Sequence, residues 1–345
     1  MLYFLNDYSE GAHPRVMEAL EKTNLAVTCG YGEDEYCAAA REVMRRTFAC
    51  PEADVHFLVG GTQTNLIAMT AFLRPWEAAI AAETAHVCVH ETGAIEAAGH
   101  KVCVVPGVDG KVTPEAVRKV VKDHQTGVEE HMVLPKLVYV SDSTELGTIY
   151  TRAELEALSD TCHELGLLLY LDGARLGAAL TAEGNDLQPE DFARLCDAFY
   201  VGGTKNAQLF GEAMIIVNDA LKPFFRNVIK QRGGMLAKGR LLGVQFEAMF
   251  RDDLWLQTAR HANELAQKLA RGLKDLGVEF YIDSPTNQLF PILPDQVVEK
   301  LKAGFAFDFT AKTDEDHTAI RFVTSWATPE ENVDFLLIAL ERLMK

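Results

Sequence analysis

The segment LLLYLD, residues 167–172, has no polar side chain until its last position. A strand built from it is apolar on both faces, and such strands belong to mostly parallel sheets covered by helices on each side. The surrounding chain fits that demand. VHFLV runs into Gly60-Gly61 and the helical stretch NLIAMTAFL; AIAAET, HVCVH and KVCVV read as further strands, and FYVGG and MIIV as two more around a glycine-rich turn. Strands alternating with helical stretches predict an α/β sheet of mostly parallel strands. Helix starts are marked by Thr113-Pro114 and by Thr151 with Glu154, a capping-box spacing; earlier helices are expected over residues 13–22 and 36–48.

From Phe224 to Ser284 there is no proline, and residues 239–277 carry helical periodicity with one break near Arg251. This reads as the bridge between two domains. Residues 1–250 would form an N-terminal segment and a large α/β domain, and residues 251–345 a smaller α+β domain. The second would hold strands near VEFYI, QLFPIL and IRFVTSW and a last helix opened by Thr328, Pro329 and Glu331.

A formal charge of −17 over 345 residues argues against binding a nucleic-acid backbone or docking on an anionic membrane. The start, MLYFLNDYSEG, lacks a basic leader, the apolar runs are too short to span a bilayer, and the seven cysteines include no CxxC pair. A cytoplasmic enzyme of small molecules with reduced thiols is expected.

Chemistry concentrates at strand ends. Asp172 closes the apolar strand, where open α/β sheets bind ligands, and Lys205 follows another strand in a turn of small residues. Either alone has an ordinary reading, as a helix cap or a solvated turn lysine. Together they are what pyridoxal 5'-phosphate requires: a lysine for the Schiff base and a carboxylate to keep the ring nitrogen protonated. Gly60-Gly61-Thr62, between strand and helix, offers backbone N–H groups to a phosphate, with hydroxyls of Thr62 and Thr204 as further donors. In HVCVH, strand alternation puts His86, Cys88 and His90 on one face. The spacing matches no common zinc module, so no metal is expected; an imidazole there can stack on a planar cofactor or move a proton.

These motifs resemble those of the threonine aldolase family, of the β-eliminating lyase type within the fold-type I pyridoxal-phosphate enzymes. The resemblance runs nearly end to end, through NDYSEGAHP, YGEDEY, GGTQTN, AHVCVHETGAIEAAGHKV, STELGTIYT, LDGARLG, GGTKN with GEAM, and IRFVTSW. It implies a seven-stranded-type sheet, Lys205 as the Schiff-base lysine, Asp172 on the pyridine nitrogen, His86 stacked on the ring, and Gly61, Thr62 and Thr204 at the phosphate. Arg175, beside the cofactor, and Arg321 would grip the substrate carboxylate. Asn6 stands where family members often have serine, and Glu145 where many have histidine, so His86, Glu145 and His90 are all candidates for the base.

The implied reaction is cleavage of L-threonine, L-allo-threonine or a related β-hydroxy-α-amino acid to glycine and an aldehyde. Another β-eliminating lyase, an aminotransferase or a silent protein of the same fold remain alternatives. A homodimer or homotetramer with its sites at the subunit interface is implied, with Arg232 or Lys238 as donors from the neighbour.

Overall fold

A computed structural model describes residues 1–125, 127 and 129–345 and makes Leu168–Asp172 the central strand of a seven-stranded sheet. Numbered along the chain, the strands are β1 (Asp54–Leu58), β2 (Glu77–Ala82), β3 (Val102–Val105), β4 (Leu134–Ser141), β5 (Leu168–Asp172), β6 (Ala198–Gly202) and β7 (Glu212–Ile216). Their spatial order is β1-β7-β6-β5-β4-β2-β3. Neighbours are parallel except at β7, which is antiparallel to both β1 and β6. The cause is local: residues 203–211 are fewer than the roughly dozen a crossover needs, so the chain doubles back.

Alternate residues of the central strands feed two cores. Leu169 and Leu171, Val138 and Val140, and Phe199 and Val201 lie in one; Leu168 and Tyr170, Leu137 and Tyr139, and Ala198 and Tyr200 lie in the other. A strand with a core on each face has no place for polar side chains, which explains LLLYL. Each buried leucine contributes roughly 1.5–3 kcal/mol. The helices begin where the sequence marks them: Thr113 caps Pro114–His124, and Thr151 and Glu154 close both bonds of the capping box of Arg152–Glu164.

A third core lies in the C-terminal part of the chain. It joins the helices Leu254–Asp275 and Glu330–Met344 to a small antiparallel sheet that includes Ile292–Pro294, Asp308–Lys312 and His317–Val323. The long helical region breaks at Arg251–Asp253, where Asp252 and Asp253 take positive φ. The N-terminus returns to this body: Leu2–Tyr3 pair with Phe305–Ala306, and Phe4 is buried in its core. No helix among the described residues is long and apolar enough to cross a membrane.

Three local expectations are corrected. HVCVH is not a strand: His86–Val89 is a helical turn. Its backbone bonds close within the segment and not across a sheet: the Cys88 N–H donates to the Ala85 carbonyl at 2.8 Å and the His90 N–H to the His86 carbonyl at 2.9 Å. VEFYI forms only an isolated bridge, Phe280 with Pro291, before Ser284-Pro285 turns the chain. The last helix is capped at Pro329, because the Thr328 hydroxyl turns back to accept the Ser325 N–H at 2.8 Å.

Candidate active site

Strand register sets the site. Ser141 pairs with Asp172, Gly202 with Glu212, and Leu58 with Glu212, so the carboxyl ends of β1, β4, β5 and β6 and the start of β7 form one edge. Asp172, Lys205, His86, Glu145 and the first turn of the helix Gly61–Phe72 all follow from that edge.

Asp172 is buried among donors. Its Oδ2 accepts from Tyr139 Oη at 2.6 Å and Asn65 Nδ2 at 3.1 Å, and its Oδ1 from the Ala174 N–H at 3.0 Å. Burial alone would raise its pKa, but these bonds and one from Tyr200 hold it below the ordinary carboxylate value. The acid therefore serves the site's polar network and no helix cap.

Lys205 lies in the β6–β7 hairpin and makes no hydrogen bond among the described residues. Desolvation and then the Arg175 charge push its pKa down, against the pull of Asp7, Asp172 and Glu212. Glu212 anchors the hairpin by accepting from the Gly203 N–H at 3.2 Å and Thr204 Oγ1 at 2.8 Å. Burial pushes its pKa up to about 8. Because Thr204 Oγ1 also accepts from the Gly211 N–H at 3.0 Å, its hydroxyl braces the turn.

The helix Gly61–Phe72 starts without a side-chain cap, so the N–H groups of its first turn have no intrahelical partner. A Cβ at Gly60 would meet nothing within 4 Å, and one at Gly61 would sit 3.0 Å from Tyr200 Oη. Thr62 is exposed beside them.

His86 is held at two points. Its backbone N–H donates to Glu145 Oε1 at 3.0 Å, and its Nδ1 lies 2.9 Å from Glu91 Oε1. His90, one turn on, lies 5.5 Å away ring to ring. Glu145 thus engages the backbone of His86 and Ser141 Oγ, not the imidazole, and burial followed by repulsion from Asp172 raises its pKa.

The two arginines differ. Arg175 is committed to Asp7, with Nε to Oδ2 at 2.7 Å and Nη2 to Oδ1 at 3.1 Å. Arg321 holds Asp308 at 2.9 Å and Gln288 at 3.4 Å, and its Nε is buried without a partner. Asn6 turns its Oδ1 to the Tyr8 N–H and Ser9 Oγ of its own loop.

Sequence reasoning missed Asn65, Glu91, Tyr139, Glu212 and the role of Asp7. Asn65 and Glu91 carried a usable signal: one is a helical turn past Gly61, the other five residues past His86.

The family model described as beta-eliminating lyase matches residues 7–295. The chain belongs to the beta-eliminating lyase family. Its relatives include the low specificity L-threonine aldolases of a Pseudomonas sp., 32% identical over 345 residues that span 99% of this chain and 97% of the relative, and of Pseudomonas aeruginosa, 33% identical over 96% and 94%. Among solved structures, a threonine aldolase of Leishmania major is 46% identical over all of both chains, with a TM-score of 0.98. An aspartate aminotransferase of Thermus thermophilus, 18% identical over 99% of this chain and 91% of its own with a TM-score of 0.74, shares the fold alone.

The beta-eliminating lyase family implies dependence on pyridoxal phosphate. The residues of this beta-eliminating lyase fit that group: a desolvated lysine without a hydrogen bond, an ionised acid one strand away, and an uncapped helix N-terminus facing open space.

Proposed function

We propose that this protein is a pyridoxal-phosphate-dependent aldehyde-lyase that cleaves L-threonine, L-allo-threonine or related β-hydroxy-α-amino acids to glycine and an aldehyde. The observation that carries the reading is the buried, ionised Asp172 beside a desolvated Lys205 at adjacent strand ends. The full-length likeness to low-specificity L-threonine aldolases supports the choice of reaction.

Lys205 would hold the cofactor's aldehyde carbon, Asp172 its ring nitrogen, and the N–H groups of Gly61 and Thr62 its phosphate. When bound, the cofactor supplies an electron sink for the pair released as Cα–Cβ breaks. Arg321, with unmet donor capacity at Nε, takes the substrate carboxylate; a guanidinium suits that ion. Arg175, fixed by Asp7, adds positive charge beside it, with Asn6 at the rim. His86, which would stack on the ring, would accept the β-hydroxyl proton as Cβ becomes the aldehyde carbon. Glu145 holds the His86 backbone in place, and Thr204 braces the lysine turn.

The working unit is read as at least a homodimer. Leu25 and Val27 are 91% and 100% exposed on one short segment, an apolar surface suited to a second copy, and Arg232 Nε is buried without a partner. Sedimentation of the purified protein measures the assembly.

Borohydride treatment of cofactor-loaded protein, with peptide mapping, is expected to fix the cofactor on Lys205. With untreated cofactor-loaded protein, threonine is expected to yield glycine and acetaldehyde in equal amounts. Ammonia and a 2-oxo acid in their place would make the protein an eliminating enzyme.

A further inference from the structure

The Glu91 side chain has no exposed surface, yet only Oε1 is partnered; Oε2 is buried with no hydrogen bond. Oε1 meets Asn65 Nδ2 at 2.7 Å and His86 Nδ1 at 2.9 Å. The orientation of Asn65 is fixed by its neighbours. Its Oδ1 takes the Tyr170 hydroxyl at 3.0 Å, and its Nδ2 also reaches Asp172 at 3.1 Å, so a flipped amide would set an oxygen against two carboxylates. Glu91 is therefore held from behind by a group that can only donate, and the oxygen so held also faces the imidazole.

We infer that Glu91 is the positioning residue for His86, keeping the proton of the neutral ring on Nδ1 and leaving the Nε2 lone pair to accept the substrate's β-hydroxyl proton. The inference rests on the assignment of His86 as the base. An imidazole that donates through Nδ1 presents an acceptor at Nε2, and His86 Nε2 has no partner among the described residues while the side chain keeps 30% of its surface. With the backbone N–H tied to Glu145 and Nδ1 tied to Glu91, the ring is fixed at both ends. In the step itself the hydroxyl O–H bond breaks, N–H forms at Nε2, the oxygen pair becomes the aldehyde C=O, and the cofactor, when bound, would supply the sink for the Cα–Cβ pair. The imidazolium so formed lies 2.9 Å from a buried carboxylate oxygen that has no other charged partner in hydrogen-bond reach.

The test uses cofactor-loaded protein with ¹⁵N-labelled histidine, His86→Asn serving to assign the His86 signals. Wild-type His86 is expected to carry its neutral-form proton on Nδ1. Glu91→Gln keeps the shape and removes the charge. Its kcat/KM is expected to fall at least about tenfold, part of the 10²–10⁴ that a positioned base contributes, and the acid limb of its pH profile to move to lower pH. Glu91→Gln added to His86→Asn is expected to cost nothing more. A wild-type proton on Nε2 overturns the inference without any variant, as does an unmoved acid limb or an independent loss in the double variant. If His86→Asn alone keeps full activity, the base assignment and the inference fall together; if it is inactive while Glu91→Gln acts independently, only the role of Glu91 falls.

Discussion

Arg175 grips Asp7 through the Nε and Nη2 edge of its guanidinium, at 2.7 and 3.1 Å, and both side chains are nearly inaccessible to solvent. Asn287 adds a third bond to the same carboxylate at 3.0 Å. Removing one member of such a pair strands a buried charge, so Asp7→Ala is expected to destabilise the protein by about 3–5 kcal/mol. Urea unfolding reads this directly; a change below 1 kcal/mol, roughly the value of an exposed pair, would mean that water reaches the site.

Arg321 Nε is unpartnered, whereas Arg175 spends Nε and Nη2 on Asp7, so Arg321 is the assigned grip for the substrate carboxylate. Arg321→Lys keeps the charge and loses the fork, and KM for threonine is expected to rise about tenfold or more with the cofactor spectrum intact. An unchanged KM would move the carboxylate site elsewhere.

His86 and Glu145 separate as candidates for the base. His86→Asn is expected to lower kcat by about 10²–10⁴, whereas Glu145→Gln, which still accepts the His86 N–H, is expected to lose far less. Steady-state kinetics on threonine decides between them, and the reverse ranking would make Glu145 the base.

Two glycines predict opposite phenotypes. Gly173→Ala would put a Cβ 2.0 Å from the Tyr200 carbonyl oxygen and is expected to abolish soluble folded protein. Gly60, extended at φ −175°, has open space before it, so Gly60→Ala is expected to melt as wild type while weakening cofactor affinity by crowding the cradle. Thermal melts paired with cofactor titration test both halves.

Glu212 gives the cofactor-free protein an unusual pH response. Its folded pKa, raised by burial to about 8, lies above the ordinary carboxyl value of 4.5. Between those values the folded state binds the extra proton, so stability is present below about 4.5 and is lost as pH rises toward 8, at up to about 1.4 kcal/mol per pH unit. Asp142, also raised to about 8 by burial, adds to the same slope. Glu212→Gln is expected to be relatively more stable at pH 9 than at pH 6 when unfolding is compared with wild type; parallel losses in both variants would refute the assignment.

Much of the large sheet was legible because its strands had to be apolar on two faces, which makes LLLYLD and FYVGG hard to read otherwise. Asp172 and Lys205 stood out for the same reason, as charges at the ends of apolar runs. HVCVH misled because its β-branched residues suit a strand locally, while the chain turns back at once after β2, with the Ala85 N–H on the Ala82 carbonyl, and winds into a helical turn. The Arg175–Asp7 pair was out of reach for a related reason: its members are 168 residues apart, and nothing in either local motif points to the other.

The N-terminal segment has a mechanical meaning. Within six residues it runs from pairing with Phe305–Ala306, through Phe4 in the C-terminal core, to Asp7 on Arg175 beside the large sheet. The C-terminal body is thus joined to the sheet by this strap as well as through Arg251–Asp253 and through Ser284, Thr286 and Asn263, which donate to the carbonyls of Gly147 and Ala178. A part fixed at one point can tilt in any direction, but one held at several scattered points moves only with its neighbour.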